Sequence, residues 1–377
     1  MEPVVGEKRR RNTGDTVDEG PKRLARSASS ENGTPKQGPS RANTQRKLTY
    51  ADYTVGWVCA LSIEGAAAEA MLDEVHEVLP ALNQDTNTYT LGRIGNYNTV
   101  ICRLPHGHYG TNNAASVATH LQRSFSHLKI KLMVGIGGGV PGGAADIRLG
   151  DVVIGLKTIQ YDFGKELHSG VFKRTSDPVR PPQNLMTAVS KLESRFEQTA
   201  ADLSTIVTRL ISTQRLGKHF SYPGRDTDQL FDSEYEHDPG MNDCLDCDGS
   251  KLIPRPGRSS EQPLIHTGII ASGNRVMKNA KVRDEIAKES GAVCFEMEAA
   301  GLCDESKYLV IRGICDYCDS HKVKHWQRYA AAVAAAYARE FLLMNPTGEQ
   351  NEGGDENPEV DQAYVVIPIC NLESYQN

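Results

Sequence analysis

The chain has 377 residues, of which 39% are hydrophobic, 24% charged and 6% aromatic, with a formal net charge of −6. This excludes a collagen-like or wholly disordered chain and leaves room for two domains, or for one large α/β domain with tails. No apolar run approaches the roughly 20 residues of a membrane-spanning helix, and the basic N-terminus lacks the apolar stretch of a secretory signal. Nine irregularly spaced cysteines do not make a disulfide framework. The expected setting is therefore reducing, the nucleus or cytoplasm, with no membrane association.

The charge is unevenly spread. Residues 1–50 carry a net +5, residues 345–377 a net −7, and the body between them −4. A mildly acidic body gives no argument for nucleic-acid binding. Residues 1–48 are rich in Gly, Ser, Pro, Asn and charge, with too little apolar surface to offset ordering entropy, so a disordered basic tail is expected there. Within it Lys8-Arg9-Arg10-Arg11 and Lys22-Arg23-Leu24-Ala25-Arg26 have the spacing of a bipartite nuclear-import signal; a solvated basic tail is the plainer reading.

Order is expected from Thr54. The apolar run 55–61 predicts a buried strand, and the Ala-rich stretch 63–74 a helix. Segments 89–94 and 99–104 flank Gly95-Asn96 and predict a hairpin. Thr111 is a plausible N-cap for a helix reaching Phe125. Strand 130–136 runs into Gly135-Ile136-Gly137-Gly138-Gly139-Val140-Pro141-Gly142-Gly143, where six of nine residues are glycine. Glycine there permits close approach to a ligand and positive φ; a tight turn is the alternative. A strand at 151–160 and helical patterns over 181–210 follow. Residues 213–262 look irregular and include Cys244-Leu245-Asp246-Cys247. Beyond them come strand 265–271, helix 278–289, strands 292–295 and 308–314, and an Ala-rich helix over 323–344. Strands alternating with helices predict one α/β domain over 49–344 with the irregular insertion inside it, then an acidic disordered tail over 345–377 in which 364–369 is apolar enough to dock.

Several residues carry chemistry. Phe295-Glu296-Met297-Glu298-Ala299-Ala300 puts two carboxylates at a strand-to-helix junction, one able to face a pocket while the other is structural. Arg312-Gly313-Ile314-Cys315-Asp316 delivers an aspartate to a strand's carboxyl end, where such sheets display their sites; partial burial would suit it to general-acid work. Glu64 follows the first strand and reads by itself as an ordinary first-turn glutamate. Cys244 and Cys247 with nearby His237 and Asp248 could bind zinc, but a structural site usually takes two such cysteine pairs and only one is present, so a reduced, metal-free pair is expected and no metal or organic cofactor is assigned.

Taken in order, Ala60-Leu61-Ser62-Ile63-Glu64, the glycine cluster, Ala271-Ser272-Gly273-Asn274, the Glu-Met-Glu-Ala segment and the Arg-x-x-x-Asp strand end resemble the nucleoside phosphorylase/nucleosidase superfamily over about residues 53–344, most closely its fungal members. The resemblance implies a three-layer α/β/α sandwich around a mixed, partly barrel-like sheet, in a homo-oligomer acting on a purine nucleoside or nucleotide. It implies that Glu298 takes the ribose hydroxyls beside Met297 and Glu296, that Asp316 protonates the departing purine, and that Glu64 activates water. Val276 and Met277 would flank the base, His106, Gly107 and His108 would lie beside the ribose, and Gly137 and Gly138 would approach the ligand. Phosphorylases of the family hold phosphate with arginines, whereas residues 60–72 here have no Arg or Lys and Lys131 precedes the glycines. Hydrolysis is therefore expected ahead of phosphorolysis with phosphate as co-substrate. A catalytically idle sensing or scaffold module is the alternative of another class. Cys315 stands where a Ser or Thr is common, and Arg275 would reach a 5′-phosphate or face solvent.

A chain beginning at Lys47 should keep the melting temperature and activity of the full protein, while a reporter carrying residues 1–48 should concentrate in the nucleus and lose that bias when either basic cluster is neutralised. Uniform distribution of the intact reporter leaves only a solvated tail.

Overall fold

The computed structural model describes residues 47–142, 145–168, 170–199, 202–241, 243–303 and 307–345. The basic tail and the acidic tail with its apolar 364–369 segment lie outside these residues, apart from Lys47, Leu48 and Asn345. In chain order the elements are β1 (Val55–Cys59), α1 (Ser62–Ala70), β2 (Glu74–Val75), β3 (Tyr89–Ile94), β4 (Tyr97–Arg103), α2 (Thr111–Ser124), β5 (Ile130–Gly139) and β6 (Val152–Gln160). They continue with β7 (Gly164–Glu166), β8 (Phe172–Arg174), α3 (Gln183–Gln198), α4 (Leu203–Ser212), β9 (Ile265–Ser272), α5 (Ala280–Ser290), β10 (Ala292–Glu296), α6 (Ala299–Cys303), β11 (Leu309–Asp316) and α7 (Gln327–Leu343).

Nine strands form one mixed sheet in the order β10-β9-β6-β11-β5-β1-β4-β3-β2, and β10 also pairs antiparallel with β5. That extra pairing closes β5, β11, β6, β9 and β10 into a barrel, with β1, β4, β3 and β2 extending from it. The closure brings the carboxyl ends of β10 and β11 against the glycine-rich end of β5: Phe295 pairs with Gly138, and so does Asp316.

Alternation along the strands builds two large cores and a smaller third, where Ile159, Ala271 and Phe295 meet α5. Trp57, Leu132, Val134, Leu309 and Ile311 face α1, α3, α4 and α7, while Val58, Met133, Val310 and Ile314 face α2 and α6. The result is the three-layer α/β/α arrangement expected from sequence. Each Val, Leu or Ile taken fully out of water in these layers contributes about 1.5–3 kcal/mol. Helix α7 owes its formation to alanine's propensity and its position to alanine's size: it is buried nearly all round, so backbone approaches sheet with little between them.

Four expectations change in detail. Order starts before Thr54, because Tyr50 packs its ring on Phe125 at 4.8 Å. Strand β5 continues through Gly139 instead of ending at 136, so the glycines are extended strand and only Gly142 among the described ones has positive φ. Helix α2 starts at Thr111, with Gly110 at the N-cap; the Thr111 N–H is satisfied by Asn274 Oδ1 at 3.0 Å, a cap supplied by another segment. The hairpin of β7 and β8 was not expected. Residues 213–262 hold short 3-10 turns and no α-helix or strand among those described. No helix of the described residues is long and apolar enough to cross a membrane.

Ala332 is wholly buried in α7. Ala332→Leu should destabilise the fold by about 1–3 kcal/mol through overpacking, read as a melting temperature several degrees lower with the same circular dichroism spectrum.

Candidate active site

The ends of β1, β5, β10 and β11 enclose a cleft of about 350 Å³. Its floor is an ion cluster. Arg312, wholly buried on β11, pairs through Nη2 with Glu296 and lies 3.7 Å from Glu298 Oε2. Glu64 approaches the same guanidinium beneath Gly135, where a Cβ would collide with both side chains. Glycine is required in β5 at this point to make room for the cluster, and again at Gly138, where a Cβ would strike the Asp316 carboxylate and Cys318. The glycine run thus serves packing of the site's own groups, with Gly137 and Gly138 also lining the cleft.

The three glutamates have different tasks. Glu296 caps the start of α6, accepting from Glu298 N at 3.1 Å and Ala299 N at 3.0 Å, so it is the structural member of the pair. Glu64 is anchored by backbone donors: Oε2 accepts from Ala60 N (2.8 Å) and Leu61 N (2.9 Å), Oε1 from Ile136 N (2.8 Å). Burial pushes its carboxyl up, and Arg312 and these donors oppose that shift. Oε1 retains a lone pair for a ligand or water. Glu298 is pushed up to about 8 by burial and by Glu296, against Arg312. Three carboxylates around one guanidinium leave surplus negative charge, and Glu298 is where a proton relieves it.

Asp316 ends β11 almost fully buried. Oδ1 accepts from Cys318 N at 2.9 Å; Oδ2 accepts the Cys315 thiol at 3.1 Å and pairs with Lys322 Nζ at 2.8 Å. The strand-end aspartate, expected from sequence as a candidate general acid, thus has Lys322 as a partner that the sequence did not suggest. Burial works against the Lys322 ammonium, but Asp316 outweighs it and holds the lysine charged.

Met297, Val276 and Met277 line the cleft with Phe295 and Ile136. Arg275 reaches it as well, with its guanidinium 5.7 Å from the Tyr161 ring. His106, Gly107 and His108 do not line it: all three are exposed, and loop 105–110 contributes Tyr109 instead. Lys131 sits at the far end of β5 from the glycines. Sequence reasoning missed Lys322 and the role of Arg312. Arg312 stood within a quoted motif; Lys322, six residues past Asp316, carried no local signal.

No family model matches the sequence. A nucleotide-binding leucine-rich repeat (NLR)-like protein of Hyaloscypha variabilis is 44% identical over 304 residues, covering 79% of this chain and 30% of that protein. The chain thus spans under a third of that relative's length. The 5′-methylthioadenosine/S-adenosylhomocysteine nucleosidase of Mycobacterium bovis is 23% identical over 308 residues, covering 78% of this chain and 97% of the enzyme. The solved structure of the Neisseria meningitidis enzyme of that name, in complex with methylthio-immucillin-A, superposes with a TM-score of 0.51 at 18% identity, covering 77% of this chain and 98% of that one. The chain has the nucleoside phosphorylase/nucleosidase fold. Within that fold the closed strand circuit and the cleft at its mouth are the features that gather Glu64, Glu298 and Asp316.

Glu298 generates a pH test. Its carboxyl moves from 4.5, the ordinary value, to about 8 in the folded chain, so between those values the native state holds a proton that the unfolded state has lost. Stability from this group is full below the lower value and falls as pH rises toward the upper one. Glu298→Gln should remove that slope, so that the variant gains on the wild type from pH 5 to 8 in denaturant midpoint; parallel profiles would show that Glu298 does not titrate there.

Proposed function

We propose that the protein cleaves the N-ribosidic bond of a purine nucleoside or nucleotide, with water as the nucleophile. The observation that carries this reading is the convergence of Glu64, Glu298 and the Asp316–Lys322 pair on one apolar-walled cleft. Breaking the bond leaves positive charge on the sugar and negative charge on the base. The negative charge that Glu64 and Glu296 leave around Arg312 suits the first, with Glu298 placed to take the ribose hydroxyls. Asp316 suits the second by passing a proton to the departing purine, with the Lys322 ammonium offsetting the charge and able to supply that proton. Glu64, fixed by backbone donors, keeps one lone pair to orient a water. Phe295, Met297, Val276 and Met277 give the planar base an apolar seat.

Water is favoured over phosphate because the cations of the cleft are already committed or peripheral: Arg312 is enclosed by carboxylates, Lys322 is paired with Asp316, and Arg275 and Lys324 are exposed residues of the lining. A phosphate dianion needs convergent charged donors. The likeness to part of an NLR-like protein favours a second reading, a module that binds a nucleoside without turning it over.

The test is product analysis with 5′-methylthioadenosine, adenosine, inosine and ATP, with and without phosphate. Base release in phosphate-free buffer, yielding the free sugar or its 5′-substituted form, is expected. Strict dependence on phosphate with a sugar 1-phosphate as product would promote phosphorolysis, and saturable binding with no release would promote the sensing role.

Asp316→Asn should fold and bind but lose base release by about 10²–10⁴-fold in kcat, since an amide passes no proton. Near-wild-type turnover of the variant would take Asp316 out of the mechanism.

A further inference from the structure

The insertion folds onto the loop that follows β11. The His237 N–H donates to Ser320 Oγ at 2.9 Å, and the Cys244 thiol donates to the His321 carbonyl oxygen at 3.7 Å. Phe231 and Tyr235 stack on the His321 ring with centroids 4.1 and 5.1 Å away. This docking supplies what the sequence lacked beside its lone CxxC pair. Ligand atoms of His237, Cys244 and Cys247 all lie within 4.8 Å of one another, and both cysteines are free, half-buried thiols. Around one zinc ion, with Zn–S of about 2.3 Å and Zn–N of about 2.0 Å, such atoms stand roughly 3.5–4 Å apart, so small rotamer changes close the set.

Two further observations point to a ligand. His237 places Nε2 2.7 Å from the Asp243 carbonyl oxygen. A proton donated there leaves Nδ1 with the free lone pair, the arrangement by which second-shell carbonyls orient metal-bound imidazoles. His321 is more than nine-tenths buried, yet neither ring nitrogen has a hydrogen-bond partner. Its ring meets that of His237 edge-on at 5.4 Å. An imidazole buried without partners is costly unless something it coordinates is absent.

We propose that His237, Cys244 and Cys247 bind a Zn²⁺ ion, with His321, which lies outside their 4.8 Å set, turning in as the fourth ligand. Two thiolates and two imidazoles form a closed tetrahedral set whose softness selects zinc over magnesium or calcium. Binding forms two Zn–S and two Zn–N bonds and releases the two thiol protons to solvent. The ion would pin the insertion to the loop that carries Lys322, the residue next to His321. The metal site stands independently of the proposed reaction; only its influence on Lys322 rests on that reading.

The full chain, purified with a phosphine reductant and no chelator, should contain close to one zinc per chain by elemental analysis. After stripping, titration with ZnCl₂ against a chromogenic chelator should show one tight site and raise the melting temperature. The paired change Cys244→Ser/Cys247→Ser, and separately His237→Ala, should weaken zinc binding at least 100-fold. His321→Ala should weaken it 10- to 100-fold. His237→Ala keeps the test open if the cysteine pair is needed for folding. Absence of stoichiometric zinc both as purified and after titration, or equal zinc retention in the variants, overturns the site; unchanged affinity in His321→Ala overturns the fourth ligand.

Discussion

A single buried guanidinium organises this protein. Arg312 has no water to solvate it, so its charge is balanced by three side chains from two separate stretches: Glu64 after β1, and Glu296 and Glu298 at the end of β10. Removing charges from water is costly, and a buried pair broken by loss of one partner typically costs 3–5 kcal/mol. Both stretches therefore keep their places relative to β11 or leave an uncompensated charge in the core. The same balance leaves Glu298 exposed to the cleft with an excess of negative neighbours, so the interaction that closes the fold also sets the electrostatics of the site.

The glycines of β5 follow from this. A strand in the middle of a sheet gains from large apolar side chains, and β5 begins that way with Ile130, Leu132 and Val134. Past that point its neighbours are the Arg312–Glu64 contact and the Asp316 carboxylate, which occupy the space that side chains on β5 would fill. The strand gives up side-chain packing to admit the polar groups of its neighbours, and the backbone hydrogen bonds to β11 and β10 hold it extended.

The layers were legible because they depend on local pattern: apolar runs at 55–59, 130–134 and 309–314, an Ala-rich terminal helix, and a Gly-Asn hairpin turn. The two acids at the cleft were legible because strand ends in such sheets display chemistry. What sequence could not show depends on contacts between distant residues. A run of glycines reads as a turn unless the arginine that needs the space is known. Thr111 looks like a helix cap until Asn274 arrives from across the cleft. Lys322 and His321 sit in an irregular segment whose composition says nothing of where it docks. The family resemblance puts His106 and His108 beside the ribose, whereas the path of loop 105–110 brings Tyr109 to the edge of the cleft instead.

Asn274 has a consequence for how such a site can diversify. Its side chain bonds Thr111 while its backbone N–H donates to Asp162 Oδ2 at 2.7 Å, so it ties the start of α2 to the segment after β6. The mouth is thereby a fixed frame, separate from the charged floor. Residues set in that frame, Tyr109, Arg275 and Val276, meet the outer part of any ligand without touching the groups that would move protons. Chains built this way can exchange one substrate for another by repainting the doorway while the machinery behind it stays the same.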